Sequence, residues 1–495
     1  VASGLTVRKS GALRPAPRET VFCKTLVVGN SIAAYTATLA ILQAGGQVCW
    51  AQAGAQDLVK TLNQQQRSQQ AESRFSWRKG RRISPWEDAT IMSQSQQAFW
   101  INWKPQPALP PAPPAAPEAA ALSASSPASL PARQSKENQL RQAINPYLQS
   151  QQLILIPRGL PVRVLYSQQR GQRRVHQVVF QDPTTRQQFQ VHAKLILDAT
   201  ADGFLQQDLA TASASSLVPE HQLTLDETVT AVQQDARGTF FPDAIAVVMA
   251  SGLDGRAKPR PLSVPLRSLV LENTEGFLSV SLPGCEPSLR PVFQHPRAQW
   301  ALGEAAGQIA ARAAQAGSLA ALRSAPNWAW TLQQTLVRQG IPIFAFDDIA
   351  LDDPDFEAIQ MVAIADVVRT MRRRDLSFRP ETPVTKAVLA SALARLPKQP
   401  ALPTTDKTAP LADVTPYHWA EQAIQTAIAT QTLPPETDTA FRPYKVLSKR
   451  QLWQVVQPLY PTDPTTLPFS PDDTPARRRH LSRSLYPILQ FRLGS

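Results

Sequence analysis

An α/β body followed by an all-α region of small helical hairpins is the architecture predicted for this 495-residue chain, on three observations. Residues 21–50, VFCKTLVVGNSIAAYTATLAILQAGGQVCW, read as a buried strand, a tight turn, a helix and a second strand. The run KLILDAT at 194–200 is another fully apolar strand that belongs in the same parallel sheet. In the last third, a Phe-x-Pro turn followed by a short amphipathic helix recurs at 377–396, 440–459 and 468–489.

The turn of the first unit carries the chemistry. In a G-x-G-x-x-G turn the first Gly makes the bend, the second lets the backbone approach a pyrophosphate, and the third lets the helix pack on the strand. Here these positions are Gly29, Ser31 and Ala34, with Asn30 between the first two. Ala34 adds one methyl; Ser31 adds a side chain where a phosphate comes closest. The acidic residue that would hold a ribose hydroxyl at the end of the second strand is replaced by Gln52, which lacks the charge-assisted strength of a carboxylate.

Beyond this unit the sequence turns Gln-rich and then, at 104–131, becomes a Pro/Ala/Ser tract whose prolines forbid helix and sheet. A helix is expected over 135–151, and strands over 152–156, 161–167, 174–181 and 187–191, with turns at Arg170-Gly171 and Asp182-Pro183. This meander reads as an inserted small sheet. Apolar segments follow at 241–250 and 261–270, then a strand at 276–282 and an Ala-rich helix at 297–316. The small residues of that helix, Gly303 and Gly307 among them, permit close packing on a core neighbour or on a ligand. Helical segments at 346–368 and 411–433 precede the first two Phe-x-Pro units, so the last third reads as helical hairpins that stack because none alone buries a sufficient face. The expected boundaries are an arm at 1–20, the first part of the cofactor-type domain at 21–103, a linker at 104–134, the remainder of that domain at 135–330, and the repeats at 341–495.

Fifty-one Lys and Arg against 38 Asp and Glu give a net charge of +13, which favours acidic partners such as an acidic protein assembly or an anionic polymer. The basic clusters Gly80-Arg81-Arg82, Arg372-Arg373-Arg374 and Arg477-Arg478-Arg479 come without a nucleic-acid-reading motif, so no specific nucleic acid is expected. The longest apolar run, near 32–44, is broken by Tyr35, Thr36, Thr38 and Gln43, so no transmembrane segment is expected. Residues 1–20 have no apolar core segment and read as an arm or a transit-like leader, which favours the cytoplasm, while the repeats leave the cell envelope open. Cys23, Cys49 and Cys285 are too few and scattered for a disulfide framework, and the first two read as core thiols. Six histidines without ligand spacing predict no metal.

Two resemblances cover most of the chain. The turn at Gly29, LILDATADGF at 195–204 and the ordered segments from FPDAIAVVMA at 241 to ALGEAAGQIAA at 301–311 resemble bacterial FAD-dependent oxidoreductases. The resemblance implies a Rossmann-like FAD/NAD(P)-binding domain with FAD as cofactor, held at Gly29, Asn30, Ser31 and Ala34 (pyrophosphate), Gln52 (ribose), Thr200 and Ala201 (middle turn), and Gly303 and Gly307 (last helix). The chain departs from that family at Ser31, Ala34, Gln52, at Ala201 in place of a closing Gly, and at 279–287, which reads SVSLPGCEP. The last third resembles S-layer homology repeats through Tyr417-His418-Trp419-Ala420 and the Phe-Arg-Pro turns at Phe378 and Phe441. Their polymer-binding motif corresponds to Thr385-Lys386-Ala387-Val388, Ser448-Lys449-Arg450-Gln451 and Arg477-Arg478-Arg479-His480, where the cations survive and the acid is lost.

The readings that follow are an FAD-dependent oxidoreductase-like protein with weakened cofactor motifs, active or a pseudoenzyme, and a non-catalytic basic scaffold. The combination of families and the heavy Gln usage have a cyanobacterial character, which adds a light-harvesting antenna complex as an acidic partner. Wall attachment through the repeats is a third reading. No catalytic acid/base pair can be named: Asp198 orders the end of its strand, and His295 is as well placed in a loop as in catalysis.

Overall fold

The computed structural model describes residues 20–52, 142–157, 159–169, 171–213, 218–224, 240–250, 260–368, 376–397, 411–437, 439–462 and 467–494. The expected arm before Thr20, the Pro-rich tract and the clusters at 80–82 and 372–374 lie outside the described residues. The chain divides into two compact units; 240–250 and 260–265 group with the second, C-terminal one.

The first unit is built on β1 (Thr20–Val28), α1 (Ile32–Gln43), β2 (Val48–Gln52), β3 (Leu153–Pro157), β4 (Leu160–Gln169), β5 (Gln172–Gln181), β6 (Gln188–Asp198) and α2 (Phe204–Ser213). Its strands form one sheet in the order β3-β2-β1-β6-β5-β4. β1 runs parallel to both neighbours, with Thr25 opposite Val48 and Leu195, which joins the two apolar strand runs in one parallel sheet. Leu26, Val27, Val28, Ile196 and Leu197 have no exposed surface, as strands covered on both faces require.

Two expectations are corrected here. The meander is no inserted sheet: β5 pairs antiparallel with β6 and β4 with β5, so both extend the main sheet, and the two runs at 187–191 and 194–200 are one continuous strand, β6. Cys23 and Cys49 are not separate core thiols. They lie on adjacent parallel strands, their Cα atoms 6.0 Å apart, and form a disulfide; the 26-residue separation in sequence disappears across the ladder. Cys285 stays free, its thiol pushed up to about 11 by burial.

After β7 (Ala244–Ala250) and β8 (Arg260–Pro265), which pair with each other and belong to the second unit, the chain returns to the first. There β9 (Thr274–Glu275) pairs with β5 and β10 (Phe277–Ser279) with β6. α3 (Arg290–Gln294), α4 (Pro296–Ala316) and α5 (Leu319–Ser324) complete this unit. α4 lies against α1, whose Ala33, Ala34, Ala37 and Ala40 are fully buried, because small residues on both helices let the backbones approach.

The second unit contains α6 (Trp328–Arg338), α7 (Phe356–Ile364), α8 (Lys386–Leu393), α9 (Glu421–Ala429), α10 (Lys449–Val456) and α11 (Arg478–Gly494). Gln333 of α6 donates to the carbonyls of Pro242 and Ala244, tying the β7-β8 pair to the helices. Three segments meet at the centre: the N–H of Val384 donates to Ala476 O (2.8 Å), that of Ala476 to Leu447 O (2.8 Å), and that of Leu447 to Val384 O (2.9 Å). The three segments that lead into α8, α10 and α11 thus close a ring of hydrogen bonds. Around it the local chemistry recurs. The Asp348 carboxylate accepts from the N–H groups of Phe378 and Arg379, and the Asp413 carboxylate from those of Phe441 and Arg442. Arg379 and Arg442 share a φ of +58°, a left-handed conformation that these paired caps hold in place. α8 packs on α9 and α11 on α7, so the last helix returns to the first hairpin.

Candidate functional site

The first turn sits at the carboxyl ends of β1 and β6, where ligands bind in open α/β sheets. Gly29 has φ +138°, and a Cβ there would collide with the carbonyl of Ala199, with Thr200 N only 2.8 Å away. Its N–H donates to Ala51 O and its carbonyl accepts from Trp50 Nε1, both at 2.9 Å. Ser31 is the N-cap of α1: its backbone is extended and its Oγ accepts from Ala34 N at 3.1 Å. The same hydroxyl donates to Ala199 O at 2.7 Å and lies 3.4 Å from Ser281 Oγ. One short side chain therefore joins α1, the end of β6 and the segment after β10.

The middle turn is organised by Asp198. Its Oδ1 accepts from Thr200 N (3.1 Å) and Thr200 Oγ1 (2.6 Å), and its Oδ2 from Gln206 N (3.0 Å), while Thr200 Oγ1 in turn accepts from Phe204 N. The carboxyl is fully enclosed, and burial outweighs these donors, so its pKa is pushed up to about 6. Ala201 is exposed beside this network, Asn30 is half-buried between Gly29 and Ser31, and half-buried Gln52 ends β2 in register with Pro157. Gly303 and Gly307 serve the contact between helices: a Cβ at Gly303 would strike Thr36 and the backbone of Ala33, and one at Gly307 would come within 2.5 Å of Ala37 O. His295 is the N-cap of α4, accepting from Arg297 N, and burial lowers its pKa to about 4.

The structure thus gathers Gly29, Ser31, Ala34 and Thr200 at one place and turns Gly303 and Gly307 to α1. Three contributors were not singled out from the sequence. Trp50 had a legible signal, since a buried indole N–H needs an acceptor. Ser281 and the carbonyl of Ala199 had none, because their approach to Ser31 depends on how β6 and β10 are placed. Among the described residues no group of three or more His, Cys, Asp or Glu could hold a metal, and no helix is long and apolar enough to cross a membrane.

The groups at this turn do not fit the pyrophosphate of FAD. The oxygen-rich surroundings of Ser31 are a carbonyl and a second hydroxyl, and its proton is already engaged by Ala199 O. An anion placed there would face the Ala199 carbonyl and would compete with the Ser31 hydroxyl for Ala34 N, the N–H its cap engages.

In the second unit, two of the three cations aligned with the polymer-binding motif point inward. Lys386 is 5 % exposed, donates to Pro434 O and lies 4.3 Å from the centre of the Phe441 ring. Arg478 is 3 % exposed, donates to Phe378 O and lies 4.6 Å from the centre of the Phe378 ring, and burial lowers its pKa to about 10. Lys449 keeps more surface and pairs with Asp472 at 3.2 Å.

No protein-family model matches the chain, and no curated protein matches it. Among solved structures it is similar to THI4 of Thermovibrio ammonificans (9 % identity, TM-score 0.26, covering 57 % of this chain and 88 % of that one). It is also similar to a geranylgeranyl bacteriochlorophyll reductase-like protein of Thermoplasma acidophilum (10 %, 0.25, 83 % and 96 %). A third is the flavin-dependent monooxygenase PieE, solved with FAD and substrate (11 %, 0.23, 88 % and 80 %). These neighbours include FAD-dependent enzymes. At these scores the likeness carries no argument about activity.

Proposed function

We propose that this chain is a non-catalytic protein on an FAD-oxidoreductase-like fold, a pseudoenzyme that acts by docking its basic surface on an acidic protein assembly. The observation that carries this reading is the Ser31 hydroxyl, which caps α1 and bonds Ala199 O at the place where a glycine would leave room for a pyrophosphate. The net charge of +13 supports an acidic partner, with attraction that is screened over about 10 Å at roughly 0.1 M salt. Attachment to an anionic polymer through the repeats is the weaker reading, because Lys386 and Arg478 are engaged by backbone carbonyls and aromatic rings.

The test is an absorption spectrum of the full chain purified without added cofactor, followed by calorimetric titration with FAD. The expected result is no flavin band and no saturable heat. Stoichiometric flavin, or tight uptake in the titration, overturns the reading and restores the oxidoreductase.

A further inference from the structure

The same sheet carries a second cleft, away from the first turn. We infer that the cavity between Lys24, Arg174 and Lys194, midway along β1 and β6, binds a small phosphate-bearing anion. The argument begins with the ladder. Cys23 pairs with Ala193 and Thr25 with Leu195, so Lys24 and Lys194 stand between these pairs on adjacent strands, and both line the cleft. Two like charges so placed repel, and such pairs cost up to about 1 kcal/mol unless a counter-charge lies between them.

The third cation arrives because β5 and β6 part at this point and the chain of β9 and β10 enters between them. Arg174 pairs with Glu275, and the next residue, Gly276, has φ +78° and abuts the carbonyls of Val175 and Lys194, where a Cβ cannot fit. The result is a cavity of about 210 Å³ floored by Gly276 and Leu195 and walled by the end of α4. That is far above the about 10–15 Å³ needed by one water.

The charges decide the ligand. None of the three cations makes an ion pair or a side-chain hydrogen bond with another described residue. Glu275 is the single acid of the lining, and the C-terminus of α4 adds about half a negative charge. The cleft keeps an excess of between about one and two positive charges, matched by a phosphate dianion. Arg174 offers a planar fork for two phosphate oxygens, and the two lysines add point charges from the other side. On the same strand faces, two residues further out, Phe22 is 74 % exposed and stacks on His192 at 5.1 Å, a platform beside the cleft for a ring carried by an organic phosphate. A concave site of this size favours a small anion over the flat surface of an acidic protein.

The test is calorimetric titration of the full chain, at about 0.05 M salt so that screening is weak, with inorganic phosphate, phenyl phosphate and polyglutamate. The comparison protein carries Lys24→Gln, Arg174→Gln and Lys194→Gln, and a control carries Lys445→Gln and Arg450→Gln elsewhere on the basic surface. All three cleft residues are exposed and have no ion-pair partner among the described residues, so the triple variant is expected to fold with an unchanged or raised Tm. Saturable phosphate binding is expected in the wild type and the control, weakened about tenfold or more in the triple variant, equivalent to about 1.4 kcal/mol. Phenyl phosphate binding more tightly than phosphate supports an organic ester as the source; equal binding supports the free anion. Equal weakening in the control, no weakening in the triple variant, or heat with polyglutamate alone overturns the proposal.

Discussion

The first turn and the ring of the C-terminal unit both draw distant parts of the chain together, and they do so with different materials. At the first turn the contacts are made by backbone and by the smallest side chains: Gly29 against Ala199, Gly303 against Ala33, and one serine hydroxyl between three segments. In the ring the last helix is held by charge. Asp355, its side chain 1 % exposed, pairs with Arg479 at 2.7 Å and also with Arg483, while Arg479 reaches Glu381 at 2.5 Å. Close approach tolerates no added atom, whereas a buried ion pair tolerates no lost one. The two regions should therefore fail under opposite substitutions.

The largest effect is expected from Gly303→Val, since the new side chain must enter the space of Thr36 and Ala33 backbone. It should cost more than about 4 kcal/mol or prevent folding, as read by urea unfolding and soluble yield. A stable Gly303→Val protein would mean that α1 and α4 are further apart than described. Asp355→Ala comes next: it leaves Arg483 without this carboxylate and Arg479 with Asp353 and Glu381 alone, and should cost about 1–3 kcal/mol because both guanidinium groups keep some solvent, while Asp355→Leu should recover part of that loss if desolvation dominates. Both chevron midpoints and Tm report it. If Asp355→Ala is neutral, the ring is held by its apolar centre instead.

Asp198 sharpens the comparison because it places one charge in the region made of small residues. Its carboxyl stays protonated to about pH 6 in the fold, against an ordinary value of 3.8. The stability linked to this proton is present in full below about pH 4 and is lost as pH rises through about 6, a span of roughly 3 kcal/mol at about 1.4 kcal/mol per pKa unit. The stability of wild type relative to Asp198→Asn should therefore fall between those pH values and stay level above. A difference that rises with pH shows that the carboxylate form is the favoured one. The smallest effect belongs to Ser31→Gly. Loss of its bond to Ala199 should cost about 1 kcal/mol, and the change of cap only a few tenths. No flavin should appear in the variant; flavin uptake on this single change would show that Ser31 alone keeps the cofactor out.

Periodicity made much of this legible. The apolar run at 26–28 and the long Ala-rich helix lead directly to β1 and α4, because local patterns determine them. What stayed hidden depends on pairing between remote strands. The joining of Cys23 to Cys49 needs β1 and β2 to be neighbours in the sheet, and the continuation of β5 and β4 on the main sheet needs the antiparallel edge on β6. The inward turn of Lys386 and Arg478 follows from the neighbouring Phe441 and Phe378 rings, which a motif aligned by residue type does not reveal.

The circular closure of the second unit also orders events in time. Arg478 reaches Phe378 and Arg483 reaches Asp355 across 100 and 128 residues, so these contacts form only after the last helix has left the ribosome. Until then Phe378 lacks the cation that covers it, Val384 lacks its acceptor on Ala476, and the earlier hairpins wait with one side open. High separation between contacting residues slows folding, so the growing chain carries an unfinished seam. Its closing waits for the 478–494 helix, and a chaperone that shields apolar surface would act there.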